Sequence, residues 1–488
     1  MQIRLQVTLI ESDQEDVHDL GSIERGTLNF EPLGLSLEEG KAVLHAFQTV
    51  LMEQQISQQL EGVRPCPDCG VQRRMKGHHH VLLHTVYGDI SVNSPRWWRC
   101  ACDVQGGTFS PLSSLMPENT TPELLFLQTK WASMVSYGVT VDLLRDVLPM
   151  GKTLNAETVR KHVYQVAQRA EDALGAEQAF FVEGCQQDWD ALPMPDGPLT
   201  VGIDGGFVRA TGKGWFEVIA GKSILAFKRD QIEDRPSSKT FAFVTTHDRK
   251  PRRRLFEMLR SQGLQENQAV TFMSDGGDNV RNLQMYLSPN AEHVLDWFHV
   301  TMRLTVLGQM ARGLPGDIEA LNDVPERLER AKHHLWHGHV GQGCEELSDL
   351  EVKLSSALDS PQVDPTCLRK MKKYVMDMMG YIGNNKAYMV NYGERYRAGE
   401  RISTGFVESA VNQVISKRFV KKQSMGWTPR GAHLLLQIRT RVLNDELEDL
   451  FRRWYPAFRK AALTPDFGGL CHGPPRAPGP AHRPVLWV

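Results

Sequence analysis

The chain opens on alternation: in IRLQVTLI, from Ile3, apolar residues fall at every second position. A period of two predicts a strand with one face half-buried. From Leu37 the apolar spacing changes to threes and fours through LEEGKAVLHAFQTVLMEQQISQQL, which predicts a helix, so residues 1–60 form an α+β segment. The stretch HVLLHTVYGDISVNSPRW is strand-like and belongs to a module spanning 61–108. From Thr121 the spacing is helical again, through PELLFLQTKWASMVSYG, VTVDLLRDVL and LNAETVRKHVYQVAQRAEDAL, giving a helical unit over 109–180.

A Gly/Pro-rich linker, LPMPDGP, introduces a new pattern over 197–314. LTVGIDGGFVRA, WFEVIAGKSI and FAFVTTHD read as three strands, RRRLFEMLRSQG as a helix, QAVTFMSD as a strand and GDNVRNLQMYL as a helix. EHVLDWFH reads as a last short strand opening into the helix of VTMRLTVLGQM. Three strands followed by alternating helix and strand fit a mixed α/β layer. Residues 315–400 are helical and polar-rich, an all-α insertion, and 401–460 complete the layer with ISTGFVESAVNQVISKRF. The tail, 465–488, contains GPPRAPGPAHRP and is expected to be disordered; no internal repeat occurs.

At 488 residues the chain exceeds one ordinary core, and two to four domains are expected. With 41% hydrophobic and 23% charged residues the composition is that of a soluble globular protein. The start, MQIRLQVTLIESDQED, has too short an apolar stretch for a signal peptide, and no run reaches membrane-spanning length. A cytoplasmic location without a membrane partner is the expectation. A net charge of −2 argues against a protein that is basic overall, but basic residues cluster at RKPRRR (Arg249 to Arg254) and KRFVKK (Lys417 to Lys422). Such runs are solvated faces or phosphate contacts.

Eight cysteines in a long cytoplasmic chain read as thiols or metal ligands rather than disulfides. Cys66 and Cys69 form CPDCG; Cys100 and Cys102 form WWRCAC about thirty residues later. Two short pairs on hairpins are how a zinc ribbon gathers four thiolates, with four reduced structural thiols as the alternative. The second pair is CxC, not CxxC, and His78, His79, His80 and His84 between the pairs offer substitute ligands. In the helical unit, Asn155 is an N-cap, and Thr158, Arg160, Lys161 and Gln165 put polar and basic groups near a helix start. Helix, short turn and helix suggest a helix-turn-helix; plain packing or dimerisation is the other reading.

Two acids end strands in the same way, Asp204 in GIDGG and Asp275 in MSDGGD. In open α/β sheets functional groups gather at strand ends, and glycines let a ligand approach. Two carboxylates about 4 Å apart repel by about 1 kcal/mol in water and about 4 kcal/mol at an effective dielectric of 20, so a cation is expected between them. With Val407, Ala410, Val411 and Val414 as the buried stripe of the last helix, Glu408 lies at the stripe's edge, able to lean over the sheet. Asp204, Asp275 and Glu408 offer hard oxygens suited to Mg²⁺ or Mn²⁺, and two such ions would clamp a phosphodiester displacement; singly, each acid could be a cap or turn residue.

VGIDGG, SDGGD, HVLDWFH and STGFVES, followed by NQVISKRFVKKQSMGWTPRGAHLLLQIRTRVLND, resemble the bacterial insertion-sequence transposases of the ISKra type, in the wider DDE class with an RNase H-like core. The likeness spans roughly 60–460. It implies catalytic roles for Asp204, Asp275 and Glu408, and matches the Asp-x-x-His element of related transposases at Asp296 and His299, which organise the site or contact DNA unless they are a helix cap and a packed histidine. The 133 residues separating Asp275 from Glu408 fit the helical insertion of such enzymes. The resemblance implies two Mg²⁺ or Mn²⁺ ions, cutting at the element's ends and joining to target DNA, and action as a homo-oligomer in a bacterial cytoplasm, associated with the nucleoid. A structural Zn²⁺ in the ribbon is expected from its cysteines. Arg252, Arg253, Arg254, Lys417, Arg418, Lys421 and Lys422 are expected to hold phosphates; the ribbon and the helix pair, with Arg160 and Lys161, are expected to recognise terminal repeats. A nuclease with an RNase H core that cuts without joining, and a non-catalytic DNA-binding regulator, are the competing readings.

Overall fold

The structure is a computed structural model that describes residues 1–460 except 12–13, 27–32, 104–105, 117, 152, 182–183, 196, 226–237, 278–279, 281–282, 284–286, 288–290, 315–320, 359–364 and 421–424. Lys421, Lys422, the 465–488 tail and most of the helix expected from GDNVRNLQMYL, Asp278 included, lie outside the described residues.

Alternation at the start becomes strand β1 (Gln2–Glu11), paired antiparallel with β2 (Gln14–Glu24). Helix α1 (Leu37–Val63) begins where Ser36 accepts from the Glu39 amide and the Glu39 carboxylate returns the contact, which satisfies two otherwise orphaned donors. Strands β3 (Met75–Thr85), β4 (Gly88–Trp98) and β5 (Thr108–Phe109) form a small antiparallel sheet with Leu83, Ile90 and Val92 buried against Met52 and Ile56 of α1. After the short α2 (Pro111–Leu115) come α3 (Pro122–Met134), α4 (Tyr137–Val147) and α5 (Ala156–Asp172), the last capped by Asn155 accepting from Thr158 N–H at 2.9 Å.

A five-stranded sheet follows the short α6 (Gln186–Asp190). Strands β6 (Leu199–Arg209), β7 (Trp215–Leu225) and β8 (Lys239–Val244) run as an antiparallel meander; β9 (Val270–Ser274) and β10 (Ala291–Leu295) add in parallel on the other side of β6, giving the order β10-β9-β6-β7-β8. Helix α7 (Pro251–Ser261) covers one face through Leu255, Met258 and Leu259, packed with Ile203, Ile219, Phe241 and Phe272. The chain is thus a mixed α/β protein with several sheets.

The insertion packs into the layer that carries the acids. Helices α8 (Trp297–Ala311), α9 (Val324–Trp336), α10 (Val340–Leu358), α11 (Pro365–Asn385) and α12 (Tyr392–Arg397) share one core with Met273, Leu295, Phe406 and Val407. Helix α13 (Gly405–Val411) then runs into a π-helical stretch (Asn412–Val420), and α14 (Pro429–Leu443) and α15 (Leu447–Trp454) close the fold. Among the described residues no helix is long and apolar enough to cross a membrane.

The expected boundary near residue 180 is not a core boundary. Val159, Val163, Val166 and Ala167 of α5 lie in one buried cluster with Val218, Ala242, Val244, Leu435 and Ile438 of the sheet and α14. Charge crosses the same junction. Arg254 of α7 is buried and donates from Nη1 and Nη2 to Glu171 of α5, at 2.8 and 2.7 Å, and from Nε to Asp248 at 2.9 Å, while His433 of α14 stands 3.4 Å from Glu171. Burial would raise the Glu171 carboxyl, but His433 and Arg254 hold it down to about 2. The expectation that Arg254 grips DNA gives way: its guanidinium ties the helical unit to the α/β layer. Arg252 pairs with Glu177 at 3.1 Å and Arg253 donates from Nε to Leu174 O at 3.1 Å, so these members of the run also serve the junction.

Candidate active site and metal centre

Strand register brings the acids together. β6 and β9 pair from Leu199↔Val270 to Gly202↔Met273, and β10 pairs with β9 up to Leu295↔Ser274. Continuing both registers by one or two residues puts Asp204, Asp275 and Asp296 on one rung of three neighbouring parallel strands, which stand about 4.8 Å apart. The ladder does continue on one side, since Asp296 N–H donates to Ser274 O at 2.9 Å. Asp204 and Asp275 are half-buried and line a cleft of about 400 Å³ with Gly205, Phe207, Glu217 and Gly277. Among the described residues each accepts only from backbone just ahead of it, Asp204 from Gly205 N–H at 2.7 Å and Asp275 from Gly277 N–H at 3.0 Å. No lysine or arginine pairs with either among the described residues.

Gly205 and Gly277 are exposed and line the cleft beside the acids, whereas Gly202 and Gly206 serve packing, for a steric reason. Positions 202, 204 and 206 of β6 share one face, and α13 lies across it. A Cβ at Gly202 would stand 2.0 Å from Val407 Cγ2, and one at Gly206 would meet Ile415 at 3.1 Å. Asp204 therefore projects between two bare positions beneath the helix that carries Glu408. Gly202→Ala is expected to cost about 1–3 kcal/mol in chemical unfolding by lifting α13 off the strand; stability equal to that of the native chain would refute this close fit. Gly276 sits at φ +86, and a Cβ there would also strike Asn385, so the turn after Asp275 is glycine for backbone reasons.

Asp296 is a helix cap, and a buried one. Its Oδ1 accepts from Phe298 N–H at 2.8 Å, its Oδ2 from the Thr404 hydroxyl, and His299 Nε2 stands 3.7 Å from Oδ2. At 0% exposure it cannot touch DNA. Thr404 is the N-cap residue of α13, so the bond fixes the start of the Glu408 helix relative to the sheet. The insertion supports the site from the other side: the Tyr381 hydroxyl donates to Asp275 O at 3.0 Å and the Tyr392 hydroxyl to Leu295 O at 2.8 Å.

Glu408 is exposed, though Val407, Ala410 and Val414 of its expected stripe are buried and Val411 is half-buried. Ligand side chains converge to within 4.8 Å in two groups of three or more among the described residues, and neither contains Asp204, Asp275 and Glu408. Glu217, which the sequence reading did not single out, enters the same cleft instead, with its Oε1 3.4 Å from where a Gly205 Cβ would lie.

Burial pushes the Asp204 carboxyl above its usual range; Asp275 and Asp296 push the same way, against the Gly205 N–H and His299. A group whose native pKa is raised stabilises most below its unfolded pKa, and that contribution is lost as pH rises through the native one. In metal-free protein Asp204→Asn should therefore raise the melting temperature at neutral pH, with the gain vanishing as pH falls into the carboxylate range. A loss of stability at neutral pH would contradict the strain assigned here. The donors fit a hard divalent cation: oxygens of like charge on adjacent strands, with no cationic side chain paired to them.

The four cysteines do converge. Sulfur separations are 3.1 Å for Cys100–Cys102, 3.2 Å for Cys69–Cys100, 3.4 Å for Cys69–Cys102 and 3.5 Å for Cys66–Cys102, and all four lie within 4.8 Å of one another. Bonds of about 2.3 Å to a tetrahedral zinc require such spacing. Amides of Cys69 and Asp68 pointed at Cys66 lower its thiol to about 6. The histidines are not part of this group; His84 pairs with Asp89 at 2.7 Å. One zinc per chain is expected by elemental analysis, and Cys66→Ser should weaken its retention against a chelator; a metal-free protein with unchanged stability would exclude the zinc.

The basic positions divide by burial. Arg418 is 0% exposed, with Nε donating to Ala132 O at 3.3 Å and its guanidinium over Tyr137 and Trp427, so it caps the end of α3 and cannot hold phosphate. Lys417 is exposed. Arg160 forks onto Glu157 at 2.6 and 2.8 Å, and Lys161 is exposed. The expected short turn before α5 is the longer stretch 148–155, and the exposed stripe of α5 carries Glu157, Lys161, Gln165, Arg169 and Asp172, two acids and two bases. Set beside known proteins, the chain matches no family model and no curated protein.

Proposed function

We propose that this chain is a DNA transposase of the DDE class, resembling the ISKra type, with an RNase H-like core that cuts at an element's ends and joins them to target DNA. The observation that carries the reading is the shared rung of Asp204 and Asp275 on adjacent parallel strands, open to a cleft, with no lysine or arginine paired to either among the described residues. The strand order supports it: a three-stranded meander extended by two parallel strands, with an acid in the middle of the first strand and another just past the end of the fourth, and a third acid on a late helix after an all-α insertion.

In this reading Asp204 and Asp275 hold divalent ions, Glu408 completes the ligand set from α13, and Asp296 positions that helix through Thr404. Two Mg²⁺ or Mn²⁺ ions so held would supply an activated water and neutralise the leaving oxygen. Water attacks the phosphorus at the element's end and a 3′ hydroxyl leaves; that hydroxyl then attacks a target phosphodiester, forming one P–O bond as another breaks. The protein's share is to hold the strand in line over the acids and to keep the carboxylates ionised and apart. Recognition of the terminal repeats is assigned to the four-cysteine module, read as a zinc ribbon, together with the helical unit. Two ends must be joined, so a homo-oligomer is the working form.

The test is mobilisation in cells. A marked element flanked by its own terminal repeats should move when the chain is supplied in trans and stay in place with Asp204→Asn. Binding of the ends without any movement, by the native chain on verified repeats, would favour a regulator, and cutting without joining would favour a nuclease.

A further inference from the structure

A cleft of about 530 Å³ opens between the C-terminal end of α5, helix α7, the first residues of β8 and the corner between α14 and α15. It lies at the β8 edge, two strands from the one that carries Asp204, and is separate from the acidic cleft. Six basic side chains and three acidic ones line it. The acids are engaged: Lys239 Nζ lies 2.5 Å from Glu446 Oε1, Arg253 and Arg260 approach Glu257 at 2.6 and 3.5 Å, and Asp449 accepts from Arg452 at 3.1 Å. Arg254 is already taken by Glu171 and Asp248.

That leaves Arg441 and Arg453. No hydrogen bond or ion pair engages either guanidinium among the described residues. Arg441 stands in the last turn of α14, where a cation suits the helix dipole, but it donates to none of the terminal carbonyls. Burial works against its charge; Glu446 and, less, Glu171 oppose that effect, while Arg453 and Arg254 add to it. Two guanidiniums lining one cleft, neither hydrogen-bonded nor ion-paired among the described residues, with room for a nucleotide, form an arrangement that an anion would complete.

We propose that this cleft is a phosphate-binding site in which Arg441 and Arg453 together grip one phosphate group, carried by a nucleic-acid strand or by a free nucleotide. Guanidinium forks match the oxygens of a phosphate, and a group with more than one negative charge suits two of them. The site does not depend on the acids and holds whether or not they cut DNA.

The experiment is calorimetric titration of the full chain, in an Asp204→Asn background that leaves nucleic acid uncut, with inorganic pyrophosphate. Binding to the parent should weaken at least about tenfold in Arg441→Gln and again in Arg453→Gln. Arg453 is exposed, so its variant keeps the test valid if the Arg441 variant fails to fold. ADP and a short 5′-phosphorylated single strand are then used to displace pyrophosphate: displacement by ADP alone assigns a free nucleotide, and displacement by the strand assigns a nucleic-acid phosphate. No pyrophosphate binding, binding unchanged in Arg453→Gln, or displacement by neither competitor would overturn the proposal.

Discussion

Asp275→Asn should lower metal-dependent cleavage of element-end DNA by roughly 10³-fold or more, with end binding within a few-fold of the native chain. The size follows from the chemistry: the amide keeps the shape and the Gly277 N–H contact but loses the charge that holds a cation. The fold should survive, because the Asp275 side chain caps only its own turn, while the turn itself is held by Tyr381 on the Asp275 carbonyl and by the backbone conformation of Gly276. Near-normal cleavage by a folded Asp275→Asn protein would remove Asp275 from the catalytic set.

Arg254→Ala should cost about 3–5 kcal/mol in denaturant unfolding, the largest single loss of stability expected in the chain. The substitution leaves Glu171 and Asp248 near each other at a buried junction, with His433 the ion-pair partner that remains to Glu171 among the described residues. The pH dependence carries the same signature. Glu171 is held at about 2 against an ordinary 4.5, so its contribution is present above the ordinary value and is lost as pH falls towards 2. That acid-side loss should be much smaller in Arg254→Ala. A change under about 1 kcal/mol would mean that the helical unit is held by its apolar contacts alone. Joint replacement by Arg254→Met, Glu171→Leu and Asp248→Leu should recover much of the loss, since removing all the charges removes their desolvation cost.

The strands of the α/β layer were legible because their signals are local. The break in alternation at an aspartate beside glycines marks a strand end only at Asp275, however; at Asp204 the strand runs on to Arg209, paired with β7 throughout. The two arginines were misread although their spacing spoke against solvent. Arg254 lies four residues before Met258, and Arg418 lies four after Val414 and seven after Val411, so helical periodicity places each on a buried stripe. A basic run draws attention to charge, and the charge outweighed the position. Glu217 escaped for the opposite reason. Between buried Phe216 and Val218 it reads as the solvent side of a strand, and only knowledge that helices cover both faces shows that it turns into a cleft. The shared core of α5, α14 and the sheet was not legible at all, because it joins segments some 270 residues apart that carry no local mark of each other.

Glu408 is where the account is most exposed, because it stands in solvent while Glu217 lies in the cleft. The decisive measurement is cleavage and joining of labelled element-end DNA with Mg²⁺ or Mn²⁺ by the native chain, Asp275→Asn, Glu408→Gln and Glu217→Gln. The account predicts joined products from the native chain and from Glu217→Gln, and none from Asp275→Asn or Glu408→Gln. Normal joining by Glu408→Gln, or no products from the native chain on verified ends, would contradict it.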